Sequence, residues 1–381
     1  MTRVSGEWLE QTDTQRVLAA LTDAGHQAYV VGGCVRNALL GAPVNDVDIA
    51  TSARPQQVID IAKSAGMKPI PTGIDHGTIT VVASGVPHEV TTFRKDVETD
   101  GRRAVVSFSD AIEDDAKRRD FTMNALYADA AGTIIDPLGG MGDIKARRVR
   151  FIENPNDRIA EDYLRILRFF RFHAWYGDPD NGLDAEGLAA IAKNVDGLDG
   201  LSNERVGHEV LKLLAAPDPA PSVAAMAQCG VLGRVLPGAD HRALAPLVHL
   251  EAGGTSGPIR RLAVLGGQDV GERLRLSKKD AASLDVIRRE CGDVKPAKVL
   301  GYLHGPDLAR DIVLARAAIL ESPLDAEIDE LVREGAAKTF PITAADLMPD
   351  LQGAQLGAKL KSLEQQWIAS DFTLTKAQLL A

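Results

Sequence analysis

The sequence predicts an α+β protein, a mixed α/β head followed by an all-helical remainder, and three observations lead there. Before residue 150, short β-branched runs alternate with glycine and helical stretches: AYVVGG, DVDIAT, GTITVVAS, HEVTTF and GTIIDP. After it such runs nearly vanish, and Ala, Leu, Arg and Glu recur at helical spacing. The length, 381 residues with 45% hydrophobic and 25% charged, suits two or three domains with real cores. Strands gathered in one part and helices in the other mark separate layers.

In chain order, residues 1–25 hold an opening helix, from about Thr12 to Ala24. Residues 26–145 form the α/β head. A helical segment spans 146–215, and helices fill 216–381 with APDPAPS (216–222) as punctuation. A single helix is expected from about Ile159 to Trp175, stopped by the Pro179-Asp180-Asn181-Gly182 run. No stretch approaches 18 uninterrupted apolar residues, and MTRVSGEWLE lacks a signal-peptide pattern. Three scattered cysteines are too few for a disulfide framework or a zinc site. A reducing, cytoplasmic setting with no membrane is expected.

The net charge of −10 speaks against a polyanionic partner. Averages hide local fields, however. Lys145 to Arg171 holds eight Lys/Arg against four Asp/Glu, so polyanion binding stays open.

The first candidate site is YVVGGCVRNALLG, where an apolar strand delivers Gly32-Gly33 to a turn and a helix follows. Glycines admit a ligand close to the backbone, and a helix N-terminus offers free N–H groups to an anion. Arg36, in the first helical turn, has the planar fork to grip a phosphate. Alone, Gly-Gly before a helix equally marks a tight turn. The pattern is neither GxGxxG nor a P-loop.

Asp46 and Asp48 sit two apart in an apolar strand pattern, so both carboxylates project from one face, about 6–7 Å apart. Like charges side by side repel, and aspartate is depleted in strands. The plain alternative is a solvated strand face. The better reading is a Mg²⁺ site, in which two hard cations bridged by carboxylates activate a hydroxyl and stabilise a leaving phosphate. Glu89, at the start of a strand pattern, is the candidate third carboxylate.

Downstream, Asp162, Arg165, Arg168 and Arg171 recur every three residues on a helix whose other positions are largely apolar. Such a helix is buried. An Asp162–Arg165 pair would contribute about 0.2–0.5 kcal/mol, yet it leaves Arg168 and Arg171 repelling each other. A bound polyanion would resolve that conflict. Asp110 followed by Glu113 suggests a capping-box start to a short helix.

Taken together, GGCVRN and NDVDI resemble the signature of the nucleotidyltransferase branch that contains class II tRNA nucleotidyltransferases (bacterial CCA-adding enzymes) and poly(A) polymerases. PTGIDHGTITV, EVTTFR, KRRDFTMNALY and EDYLRILRFFRF agree in order, over roughly residues 26–212. The resemblance implies a nucleotidyltransferase head, a helical neck carrying a base-recognition helix, and a helical body and tail for tRNA. It implies transfer of C and A from CTP and ATP to the tRNA 3′ end without a nucleic-acid template. Asp46 and Asp48 would hold Mg²⁺, Glu89 would assist catalysis, and Gly32, Gly33, Arg36 and Arg119 would hold the nucleotide. Asp120 and Asn124 would lie near the ribose. Asp162 and Arg165 would read the Watson–Crick edge, with Arg168 and Arg171 steadying the cleft and touching the nucleotide. Glu204 and Arg205, in the next motif, would buttress that helix, and the glycine-rich link 134–150 would flex. Asn37 departs from the family's usual aspartate. A poly(A) polymerase, or a noncatalytic RNA-binding protein on the same fold, is the alternative.

Overall fold

The computed structural model describes residues 2–100, 103–251, 254, 256–348 and 350–381, with side chains described outside 96–106. The chain forms two compact units. One comprises Met1–Gly238 with Gln268–Arg275, the other Ala239–Gly267 with Leu276–Ala381.

The first unit opens with helices α1 (Glu7–Glu10) and α2 (Thr12–Asp23). A seven-stranded sheet follows, built from β1 (Ala28–Val31), β2 (Asp48–Thr51), β3 (Lys68–Gly73), β4 (Thr78–Ala83), β5 (Val86–Thr92), β8 (Tyr127–Ala128) and β9 (Ile134–Ile135). The order is β3-β4-β5-β2-β1-β8-β9. Only the β2–β5 pair is parallel among these neighbours. Val30, Ile49, Ile79 and Val90 are fully buried beneath it. Helices α3 (Gly33–Leu40) and α4 (Pro55–Ser64) fill the connections.

Two expectations of strand placement need correction. β2 begins at Asp48, so Asp46 and Val47 form its lead-in rather than sharing the strand. β3, and the hairpin β6 (Arg94–Asp100)–β7 (Arg103–Phe108), were not expected. β3 carries Pro69 and Pro71, which fit it to the sheet edge it occupies, where a missing N–H costs little. β6, RKDVETD, is too polar to show a strand pattern.

Helix α5 (Ile112–Lys117) starts without a side-chain cap. Asp110 pairs instead with Arg54 at 3.0 Å, and Ser109 donates to Asp114, so the expected capping box does not form. The link 134–150 carries its own hydrogen-bonded structure. Asp136 accepts from the backbone of Gly140 and Met141, and α6 (Met141–Lys145) follows. Buried Asp143 then binds Thr122, Arg148 and Arg150. Gly140 is required there, because a Cβ would lie 2.4 Å from the Thr122 carbonyl oxygen.

The helix expected over Ile159–Trp175 is two helices, α7 (Pro155–Glu161) and α8 (Leu164–Tyr176). The chain breaks at Asp162, whose extended φ of −155° and ψ of 102° end α7. Phe169 and Phe172 of α8 pack on Phe121 and Phe151, with ring centroids 5.0–6.3 Å apart. Helix α9 (Ala185–Asn194) leads to α10 (Asn203–Leu214), which packs on α8. Gly207 lets the 268–275 segment approach, since a Cβ would sit 1.9 Å from the Leu274 carbonyl oxygen.

The second unit is helical, with Lys278–Cys291, Pro306–Ile319 and Gly353–Ala369 among its helices. One core cluster gathers Trp367, Phe372, Leu363 and Val299. Arg260 and Arg261 are buried on Glu251. Among the described residues no helix is long and apolar enough to cross a membrane. All three cysteines are free.

Candidate active site

Strand register brings the acidic residues together. Asp48, at the start of β2, lies directly beside Glu89 of β5 in the parallel pairing. Their neighbours Ile49 and Val90 point into the core, so alternation turns both carboxylates to the opposite face. Loss of solvent and then the charge of Glu89 push the Asp48 carboxyl above the ordinary range, against the pull of Arg119, with Asp46 adding to the rise. Asp46, Asp48 and Glu89 line one cavity beneath α1 and α2.

Among the described residues, no group of three His, Cys, Asp or Glu side chains is arranged to hold an ion. The carboxylates nonetheless suit a hard divalent cation, which one or two carboxylates hold while water and substrate phosphates complete the shell. The crowding at Asp48 is what such a cation would relieve.

Val31, the last residue of β1, pairs with Asp48, so the glycine turn lies next to the carboxylates. Gly32 has φ +75°, and a Cβ there would meet the Arg119 guanidinium at 3.2 Å. Gly33 opens α3. Arg119 donates to Asp115 at 2.9 Å and to the Tyr127 hydroxyl at 3.3 Å. Burial disfavours its charge, but Asp115 and Tyr127 outweigh that and raise its pKa.

A cleft of about 410 Å³ joins these groups to α8. Its lining includes Gly32, Gly33 and Asp48, and carries six arginines, Arg36, Arg118, Arg119, Arg165, Arg168 and Arg205, against three aspartates. That excess suits an anionic ligand. Asp48 lines both this cleft and the carboxylate cavity.

The arginines of α8 each have a carboxylate, so the expected need for a polyanion to separate them does not hold. Arg165 pairs with Glu161, Arg168 with Asp120 and Arg171 with Glu209. The Asp162–Arg165 pair does not form either. Asp162 binds Arg205 at 2.7 Å, which places Arg205 as the support of the break. Glu204 is exposed. Arg171 lies over Phe172 and is not among the residues lining the cleft.

A ring of polar contacts closes around the cleft. Arg168 donates to Asp120, whose other oxygen accepts from Asn124 at 2.8 Å. Asn124 accepts from Arg36, and Arg36 donates to the Tyr176 hydroxyl at 2.9 Å. Arg168 and Tyr176 both belong to α8, which completes the circuit. Burial works against ionised Asp120, but Arg168 and the hydrogen bonds dominate and hold its carboxyl at about 2.

Sequence reasoning passed over Arg118, Glu161 and Tyr176. Arg118 stands in the KRRD run and was open to notice, whereas nothing local marks Tyr176. Its partner Arg36 is 140 residues away.

A sheet that presents paired carboxylates beside a glycine turn and an arginine-rich cleft defines a nucleotidyltransferase head. Residues 28–150 match the model of the poly A polymerase head domain, and 182–242 match that of the probable RNA and SrmB-binding site of polymerase A. The mitochondrial CCA tRNA nucleotidyltransferase 1 of Mus musculus is 32% identical over 93% of this chain and 86% of its own. The CCA-adding enzyme of Geobacillus thermodenitrificans is 43% identical over 58% of this chain and 54% of its own. The crystal structure of the Bacillus stearothermophilus CCA-adding enzyme in complex with CTP superposes with a TM-score of 0.76 at 30% identity, covering 94% of this chain and 93% of that one. The chain belongs to the family of class II CCA-adding enzymes and poly(A) polymerases.

Proposed function

We propose that this protein adds C and A, from CTP and ATP, to the 3′ end of tRNA without a nucleic-acid template, releasing pyrophosphate. The observation that carries the reading is the Asp48–Glu89 pair beside a cleft whose far wall holds Asp162 at a helix break. Asp46 and Asp48 would hold Mg²⁺, the hard cation that suits carboxylate oxygens and substrate phosphates. When bound, it would neutralise charge on the transferring phosphate.

The chain's own residues do the rest. The tRNA 3′-hydroxyl attacks the α-phosphate, its proton passing to the Glu89 carboxylate beside Asp48, and the bond to pyrophosphate breaks. Gly33, Arg36 and Arg119 hold the departing phosphates. Catalysis is then positioning and charge neutralisation, without a covalent enzyme intermediate.

Asp162 retains acceptor capacity after its bond to Arg205, and Arg165 retains its Nε–H and one Nη2–H after bonding Glu161 and the carbonyls of Arg158 and Arg118. An acceptor beside a donor fits the exocyclic amine and ring acceptor that cytosine and adenine share. Arg168 and Arg171, tied to Asp120 and Glu209, steady that wall. The three free cysteines fit a cytoplasmic setting.

The test is incorporation of labelled CTP and ATP, separately and together, into tRNA ending before CCA, after C and after CC. Ordered addition followed by arrest is expected. Unbounded A addition on any RNA would make this a poly(A) polymerase, and no incorporation would make it a binding protein.

A further inference from the structure

Of the six arginines lining the cleft, five meet a carboxylate. Arg118 and Arg119 share Asp115, Arg165 has Glu161, Arg168 has Asp120 and Arg205 has Asp162. Arg36 has none among the described residues, although it is 7% exposed and so the most buried of the six. Its hydrogen-bond partners are all neutral. Asn37 Oδ1 accepts from Nε at 3.2 Å and from Nη2 at 2.9 Å, Asn124 Oδ1 accepts from Nη1, and the Tyr176 hydroxyl accepts from Nη2. The rings of Tyr176 and Phe172 flank the guanidinium at 4.1 and 5.1 Å. These contacts use four of the five N–H donors and hold the plane fixed, leaving one Nη1–H and the whole charge.

A buried cation without a counter-ion is costly unless a ligand supplies the anion. Asp120 is the carboxylate closest in kind, but Arg168 occupies one of its oxygens while Asn124 and the Phe121 amide occupy the other. Asn37 itself is fixed by its own donor, Nδ2 to the Pro43 carbonyl at 2.7 Å, so its oxygen faces Arg36. An aspartate of the same shape would turn this contact into an ion pair.

We propose that Asn37 is a positioning residue that orients Arg36 without neutralising it, so that the polyphosphate of the incoming nucleotide is the counter-ion Arg36 lacks. The inference rests on the reading of the cleft as a nucleotide site. It assigns Asn37, which touches no reacting atom, control over phosphate affinity that CTP and ATP share and that base selection does not.

The experiment compares the full-length protein with Asn37→Asp and Asn37→Ala. Binding of inorganic tripolyphosphate is measured by calorimetry, and KM and kcat are measured for CTP and ATP on tRNA acceptors. Asn37→Asp should weaken tripolyphosphate at least tenfold and raise KM for both nucleotides by a similar factor, with kcat within about twofold. Asn37→Ala removes the acceptor that orients Arg36 but adds no charge, so tripolyphosphate should weaken by a smaller factor, about threefold. Melting curves confirm that both variants fold. Unchanged tripolyphosphate binding in Asn37→Asp, or an equal loss in both variants, would overturn the proposal. Failure of the parent to incorporate either nucleotide would sink the function reading instead, while the calorimetry still decides the charge argument.

Discussion

Loss of solvent, and then the neighbouring charges of Glu89 and Asp46, disfavour the ionised form of Asp48. Its pKa is raised in the folded protein, so ionised Asp48 destabilises the fold at neutral pH, and that penalty fades as pH falls into the carboxyl range. Asp48→Asn should therefore abolish nucleotide transfer yet raise the melting temperature at pH 7 by about 1–3 °C. Melting curves at pH 7 and pH 4 test this, since the gain should shrink at the lower value. Asp120 has the opposite sign. Held at about 2 by Arg168, it contributes stability that is full above the unfolded carboxyl value and is lost as pH falls through about 2. Asp120→Asn leaves Arg168 without its counter-ion and should cost about 3 kcal/mol, measurable by urea unfolding. Gly32→Ala forces a side chain into φ +75° and against Arg119. It should cost about 1–2 kcal/mol and raise KM for both nucleotides.

At the level of elements, the break between α7 and α8 determines what Asp162 does. On a continuous helix it would have shared a ridge with Arg165, whereas here it leaves the helix and Arg205 of α10 holds it. Arg205→Ala should reduce discrimination of CTP and ATP against UTP and GTP by about tenfold. The pair is partly exposed, so the stability cost should stay within about 1 kcal/mol. Competition assays with all four nucleotides, set beside a melting curve, separate the two effects. Unchanged selectivity would remove Arg205 from base recognition. The apolar pattern around Asp48 and Glu89 is local and marked both segments as strands, whereas their in-register pairing is a contact across 41 residues that the pattern alone does not fix. The arginine pairings were not, because Asp120 and Glu209 lie 48 and 38 residues from their partners. Spacing on one helix cannot reveal a carboxylate delivered by another. The break itself left little trace, since EDYLRIL reads as unbroken helix. The edge strand β3 was hidden by its prolines.

Across the whole molecule, the two units carry separate cores, one around the sheet and α8, the other around Trp367. Separate cores make a single cooperative transition unexpected. Calorimetry should give an unfolding enthalpy larger than the van't Hoff value. The fluorescence of buried Trp367 reports on the second unit, while Trp8 and Trp175 report on the first. Within that first unit, the ring from Arg168 through Asp120, Asn124 and Arg36 to Tyr176 fastens the head to α8 at two points two turns apart. Residues 145–148 cross the same junction and are exposed. A protease that cuts after Lys145 would therefore sever the chain without parting the fragments, which should elute together at native size. They should separate only in denaturant strong enough to unpack Phe121 from Phe151, Phe169 and Phe172, because that buried core spans the cut as well.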